Sequence, residues 1–140
     1  MRFAPLIPAV ALACSFTPLT TLAAPIGYQA ELSTLFHDVS GTVTIVDNNT
    51  FRVDDFTYDG QAPAVYFYFG DNDSDAAFAS GLQIDPILSG TAYDGTQGPL
   101  FFDLPPGSAF GTFDPYNAIS VWCAQFAVNF GSGTFTAPLM

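Results

Sequence analysis

The chain has 140 residues, with 13 aspartates and glutamates against two arginines and no lysine, and its formal net charge is −11. This charge repels nucleic-acid phosphates and anionic lipid headgroups, so the composition excludes nucleic-acid binding and docking on a membrane surface. The acidity serves solubility in an extracellular medium or attracts cations, and solubility is the favoured interpretation.

The first 23 residues predict a secretory signal peptide. Arg2 supplies a positive charge, an apolar run follows, and the small residues of 21–23 favour cleavage after Ala23. The apolar run is too short to span a bilayer, so we expect no stable membrane insertion. A lipoprotein signal with Cys14 as the lipidated residue is the alternative. We therefore predict a secreted, extracellular protein whose mature part, residues 24–140, is one domain.

Alternating apolar residues predict that this domain is all-β. The predicted strands, in chain order, cover residues 41–46, 50–54, 64–69, 100–104 and a final pair through 117–130 that ends near 134–136. A tight turn at residues 47–49 makes a hairpin of the first two strands, and a helical turn is expected only within 75–82. An antiparallel β-sandwich or a partly closed β-barrel would bury this many apolar strand faces.

The chain around Cys123 is apolar on both faces of its predicted strand. One face carries Ile119, Val121 and Cys123, and the other carries Trp122, Ala124, Phe126, Val128 and Phe130. Packing on both sides should therefore shelter the thiol. Once the signal peptide is removed, Cys123 is the lone cysteine, so it is a packing residue, an intermolecular link, or a reactive or ligating thiol. From the residues alone, an inert thiol and a functional thiol are equally well supported.

Familiar catalytic machinery is nearly absent. A Ser-His-Asp triad or a zinc cluster would depend on His37, the one histidine, and no glycine spacing matches a phosphate-binding loop. Because His37 precedes Asp38, a hydrogen-bonded structural histidine is the simpler interpretation. The functional alternative is an axial haem or metal ligand, or a base that tunes the Cys123 thiol.

Two acidic clusters are candidate sites. A weak calcium site is one interpretation of the alternating carboxylates of Asp71, Asp73 and Asp75, and a solvated turn is the other. The EF-hand pattern fails because Ala76 and Leu82 stand where glycine and glutamate are needed. The second cluster, formed by Asp54, Asp55 and Asp59, flanks a turn and is expected to face water.

Two asparagines, Asn48 and Asn72, fit the N-glycosylation pattern and fall in predicted turns. They would be used only in a eukaryotic secretory pathway, so the pattern by itself predicts acceptor sites of a glycoprotein and no more.

Several stretches of the chain resemble the electron-transfer DM-thirteen domain family. Residues 37–43 look like the opening of that domain, and residues 56–60 match its turn. The closing Ile119-Ser120-Val121-Trp122-Cys123, followed by Asn129-Phe130-Gly131, is similar to its most distinctive signature. The resemblance covers roughly residues 31–135. It implies an all-β extracellular domain whose cysteine takes part in redox chemistry, as a bare thiol or through a bound group such as haem.

Two functions therefore remain open. The first is a secreted redox or electron-transfer domain with Cys123 as thiol or ligand, His37 as second ligand or tuning base, and Trp122 as the wall of the site. The second is a non-enzymatic module that binds a glycan or protein outside the cell or in a cell wall. Its binding platform would consist of exposed aromatic side chains, namely Tyr66, Tyr68 and Tyr116.

Overall fold

The structure is a computed structural model that describes residues 26–111 and 116–137. The predicted signal peptide and Cys14 lie outside these residues. The elements in chain order are β1 Gln29–Glu31, β2 Ser40–Ile45, β3 Thr50–Tyr58, β4 Val65–Gly70, α1 Asp75–Ala79, β5 Leu82–Ile84, β6 Tyr93–Asp94, β7 Leu100–Asp103, β8 Ala118–Cys123 and β9 Val128–Thr134.

The strands form two antiparallel sheets. The first sheet has the order β1-β2-β3-β6, with β7 also pairing with β3, and the second has the order β5-β4-β8-β9. The buried faces of both sheets meet in one core, and the sheets do not close into a barrel. The prediction of an antiparallel β-sandwich is therefore confirmed.

The strands that the sequence predicted are the long ones. The hairpin of β2 and β3 pairs Val43 with Val53 and Ile45 with Phe51, as the alternation requires. The strands that the sequence analysis did not predict, β1, β5 and β6, have three residues or fewer. Alternation needs about four residues to be visible, so pairing with longer neighbours defines these short strands.

Aromatic rings fill the core between the sheets. Phe51 is fully buried, and its ring centroid lies 5.7 Å from that of Phe67, 5.2 Å from that of Phe69 and 5.3 Å from that of Phe102. Phe51 and Phe102 belong to the first sheet, whereas Phe67 and Phe69 belong to the second. These ring contacts therefore join the two sheets directly.

The short helix covers the outer face of the second sheet. As predicted for residues 75–82, one helical turn forms, and the Ser74 hydroxyl caps it by accepting a hydrogen bond from the Ala77 amide at 3.2 Å. Phe78 on this helix is buried 6.0 Å from the ring of Trp122. In the described part of the chain, no helix is long and apolar enough to cross a membrane.

The sequence analysis was wrong about the residues that follow Cys123. Strand β8 ends at Cys123, and residues 124–127 form a turn in which Ala127 has a φ of 53°. This reversal leaves Phe126 61% exposed and places Phe130 in the main core with Cys123. Trp122 and Phe130 therefore do not share a face.

Strand β9 packs closely at Gly131 against the segment between β1 and β2. A Cβ built on Gly131 would lie 2.1 Å from the Ser33 carbonyl oxygen and 2.5 Å from Val39 Cγ1. Ser33 and Val39 begin and end the segment of residues 33–39, which we call the hook and which fills the space that a side chain would need. The amides of Leu35 and Phe36 in the hook both donate to the Phe130 carbonyl, at 3.0 and 2.9 Å.

Candidate functional site

Cys123 lies at the end of β8, in the interior of the second sheet, between β4 and β9. It pairs with Val65 on one side and Val128 on the other, and its side chain has no exposed surface. The thiol donates a hydrogen bond to the Pro63 carbonyl oxygen, with the sulfur 3.2 Å from that oxygen. The shelter that the sequence predicted for this thiol is confirmed, and the cover on this side is backbone.

That backbone belongs to residues 59–64, a short segment between β3 and β4 that we call the lid. Two buried side chains support its central part. The Tyr58 hydroxyl donates to the Gln61 carbonyl, and the Cys123 thiol donates to the Pro63 carbonyl. Tyr58 is fully buried at the end of β3. A thiol and a phenol therefore lie beneath the same lid.

Burial controls the acidity of this phenol. Loss of hydration raises the pKa of Tyr58 to about 12, a hydrogen bond with Ser89 opposes the rise, and the nearby Asp59 and Cys123 add to it. Ser89 also fixes the chain directly after the lid, because its hydroxyl accepts a hydrogen bond from the Val65 amide at 2.9 Å. Sequence reasoning missed Tyr58, although the turn that resembles the family's, residues 56–60, contains it.

The raised pKa of Tyr58 predicts a specific alkaline instability. The unfolded chain releases this proton near pH 10 and the folded chain near 12, so the free energy of unfolding should fall as pH rises between these values. Tyr58→Phe removes the titrating group and should give a shallower fall over that range. Urea unfolding at stepped pH measures the slope, and equal slopes for the two proteins would contradict the assignment.

His37 sits beside the lid rather than over the thiol. Its Nδ1 lies 2.9 Å from Asp59 Oδ2 and 3.1 Å from Oδ1, and its ring centroid is 4.3 Å from that of Phe130. The ring also packs edge-on against Tyr58, with centroids 6.4 Å apart. Asp59 rather than the adjacent Asp38 is thus its hydrogen-bond partner.

His37 and Cys123 both lie near Tyr58, but they do not contact each other. Tyr58 packs against the His37 ring and is influenced by Cys123. Among the described residues, no hydrogen bond joins the histidine to the thiol. His37 is thus linked to the lid through Asp59. No contact supports a direct effect of His37 on the Cys123 thiol.

Trp122 lies on the face of β8 opposite Cys123. It is buried with Phe78 and Ala118 in a separate cluster on the outside of the second sheet, where Tyr68 also packs. Alternation along a strand places consecutive side chains on opposite faces. A role for Trp122 as wall of the thiol site therefore does not fit its position.

The acidic residues that the structure describes do not assemble into a metal centre. Within residues 26–111 and 116–137, no three His, Cys, Asp or Glu side chains are grouped as ligands of an ion. Asp73 instead accepts a hydrogen bond from the Ser132 hydroxyl at 2.6 Å, which ties its loop to β9. Asp71 and Asp75 are exposed, and Asp54 pairs with Arg52 at 2.8 Å.

The residues around Cys123 do not fit a haem. The sulfur is enclosed by core side chains and already donates to Pro63, so no iron could reach it without rebuilding the core. A surface cavity of about 310 Å³ lies elsewhere, lined by Phe69, Gly70, Asp71, Ala77, Ser80, Gly81, Leu82 and Tyr116. Neither Cys123 nor His37 lines it. We therefore assign no step to a bound haem.

The three tyrosines of the alternative platform are divided between two faces. Tyr66 and Tyr68 lie half-buried on the outside of the second sheet, with ring centroids 6.5 Å apart. Tyr116 packs against the main core, 5.7 Å from Phe69 and 6.4 Å from Phe110. The glycosylation candidates Asn48 and Asn72 are both exposed, in the first hairpin turn and in the loop before α1.

Comparison with known proteins decides the family. The family model described as "Electron transfer DM13" matches residues 31–135. The chain belongs to the electron transfer DM13 family. Cys123, Tyr58, His37 and Asp59 all lie within the matched residues, so the lid and both groups beneath it are part of the DM13 domain.

The curated relatives of this DM13 chain are much longer proteins. Protein Skeletor, isoforms B/C, of Drosophila melanogaster is 39% identical over 105 residues, which cover 71% of this chain and 13% of the relative. Protein Skeletor, isoforms D/E, of the same organism is 39% identical over 105 residues, covering 71% of this chain and 7% of the relative. The chain thus spans a small part of each relative. No solved structure matches it significantly.

Proposed function

We propose that this chain is a secreted redox domain in which the thiol of Cys123 is the group that is oxidised and reduced. The observation that carries the proposal is the position of Cys123: a thiol beneath a short lid, bonded to one carbonyl of that lid. The electron-transfer description of the DM13 family supports a redox role, and the signal-like N-terminus supports secretion. Oxidising surroundings outside the cell are suited to thiol chemistry.

The chemistry that fits these residues is thiol–disulfide exchange. The Cys123 thiol loses its proton and attacks one sulfur of a disulfide; a new S–S bond forms and the original one breaks. The departing thiolate takes up a proton, and Cys123 is then held in a mixed disulfide with the other half of the partner. Attack of a second thiol on this bond returns Cys123 to the thiol. The surrounding apolar core shields the sulfur of the resting thiol from water.

Incubation with glutathione redox buffers tests this proposal. We expect Cys123 to form a mixed disulfide whose fraction depends on the ratio of oxidised to reduced glutathione and which is fully reversed by excess reduced glutathione. The readout is the mass of the Cys123 peptide, which separates it from any reaction at Cys14. Cys123→Ser is the matched control and should show no adduct at that position. A Cys123 peptide that stays unmodified at every ratio would contradict the proposal.

The alternative function, binding of a glycan or protein through surface tyrosines, has less support. Two of its three residues, Tyr66 and Tyr68, lie together on an outer sheet face. The Tyr68 hydroxyl donates to Gln83 at 2.7 Å, which fixes the ring, but Tyr116 is turned to the core. A pair of half-buried rings offers a smaller stacking surface than the predicted platform of three.

A further inference from the structure

We infer that residues 59–64 are a lid that opens locally over Cys123 and that the contact of Asp59 with His37 is its latch. The inference concerns regulation of the proposed redox site and rests on that proposal for its biological meaning. The thiol has no exposed surface, so a disulfide partner can react with it only after some part of the structure moves. The question is which part moves most easily.

The lid contains three residues with positive φ. Gly60, Ala62 and Ala64 have φ values of 78°, 81° and 55°. Glycine adopts such angles freely, whereas an alanine pays a conformational cost in this region, so the lid holds two residues in unfavourable conformations. Unfavourable conformations persist only where surrounding contacts enforce them. Loss of those contacts therefore favours an open lid.

The ends and the centre of the lid are held differently. Backbone hydrogen bonds fix the ends, from the Gly90 amide to the Gly60 carbonyl and from the Ala124 amide to the Ala64 carbonyl, both at 2.9 Å. Across residues 61–63, every described hydrogen bond has a side chain as its partner: the Asp59 carboxylate accepts from the Gln61 amide, and the Tyr58 hydroxyl and the Cys123 thiol donate to carbonyl oxygens. The centre can thus lift while the sheets and the lid's ends stay paired.

Asp59 connects the centre of the lid to the body of the domain. Its Oδ1 accepts from the Gln61 amide at 2.8 Å, and the same carboxylate binds His37 Nδ1. The Asp59 amide donates to the His37 carbonyl at 3.1 Å, so the two residues are joined twice. His37 in turn is anchored by its ring on Phe130 of β9. Removing the carboxylate releases the lid without removing a core side chain.

Alkylation of the native thiol measures this opening. Iodoacetamide is uncharged and avoids repulsion by the acidic chain, and the Cys123 peptide reports the rate by mass spectrometry. We expect Asp59→Ala to raise the rate about 5- to 30-fold, the factor expected for losing a charged hydrogen-bonded contact. The rate should not change with urea below the unfolding transition, because local opening exposes little surface.

The chain offers a matched control in the pair of Arg52 with Asp54. The side chains of Asp54 and Asp59 are 34% and 33% exposed, and each pairs with one basic side chain, but Asp54 lies on β3, five positions before the first residue of the lid. Asp54→Ala should leave the alkylation rate within about twofold of the wild-type value. His37→Gln, which keeps Asp59, is a second latch variant in case Asp59→Ala folds poorly, and it should also raise the rate.

Two results would overturn the lid. One is an alkylation rate that follows the global unfolding equilibrium in urea for every variant; the other is an equal change for Asp59→Ala and Asp54→Ala. The experiment is independent of redox activity. If Asp59→Ala raises the alkylation rate but Cys123 forms no glutathione adduct, the lid is supported and the proposed redox function is contradicted. If Cys123 forms the adduct but is alkylated only on global unfolding, the redox function is supported and the lid is contradicted.

Discussion

The Gly131→Ala variant is expected to lose at least about 3 kcal/mol of unfolding free energy, because one added methyl group meets backbone that cannot move aside. Its Cβ would lie 2.1 Å from the Ser33 carbonyl oxygen. That carbonyl belongs to the hook, which is bonded to β9 and contains His37. The clash therefore separates β9 from the hook and disturbs the latch as well as the packing. Urea unfolding monitored by the fluorescence of Trp122 measures the loss.

Gly70→Ala is the matched control for this variant. Gly70 also lies in a strand with a backbone that alanine can adopt, and its added Cβ would lie 3.0 Å from Phe78 Cδ1 and 3.1 Å from Ala77 Cβ. A shift of a few tenths of an ångström relieves these contacts, so the expected cost is about 1 kcal/mol. Equal losses for the two variants would show that the hook yields, contrary to the tight contact described above.

The second large effect is expected for Phe51→Ala, at about 3 to 5 kcal/mol. Phe51 is fully buried and touches aromatic rings of both sheets, so its removal leaves a cavity at the point where the sheets meet. For a domain with a total stability of about 5–15 kcal/mol, this loss leaves little folded protein at elevated temperature. Thermal and urea unfolding should both show the loss.

Phe101→Ala is the control for Phe51→Ala. Phe101 lies on β7, next to Phe102, but is 61% exposed, so its removal should change the free energy of unfolding by no more than about 0.5 kcal/mol. If the two alanine variants were equally stable, the core between the sheets would not have the role in stability that its burial indicates.

The strands could be predicted to the extent that they alternate over four residues or more. Residues 41–46 and 50–54 show this pattern, and the structure has them as the hairpin of β2 and β3. A final pair of strands was predicted through residues 117–130, but the position of the turn between them was not, because residues 124–128 contain no glycine or proline to end β8. The chain reverses there because the Ala127 backbone adopts a conformation that its side chain gives no reason to expect.

The sequence predicted the central residue of the site, Cys123, but not the residues that surround it. Cys123 stood out because it is the lone cysteine of the predicted mature chain, and its burial followed from the apolar residues on both sides. Tyr58 is one of six tyrosines, and its place in the turn of residues 56–60 gave no sign that its hydroxyl lies beneath the same segment as the thiol. The partner of His37 was also beyond prediction, since 22 residues separate it from Asp59 while Asp38 is adjacent.

By itself, the sequence determined the all-β class, the long strands, the acidic surface and the resemblance to the DM13 family, because each depends on residue type and local spacing. The tertiary structure alone decided what covers the thiol. Which side chain reaches the carbonyl oxygens of Gln61 and Pro63 depends on how β3, β4 and β8 are placed in two packed sheets. Cys123 and Pro63 are 60 positions apart in the chain, so no local pattern encodes their contact.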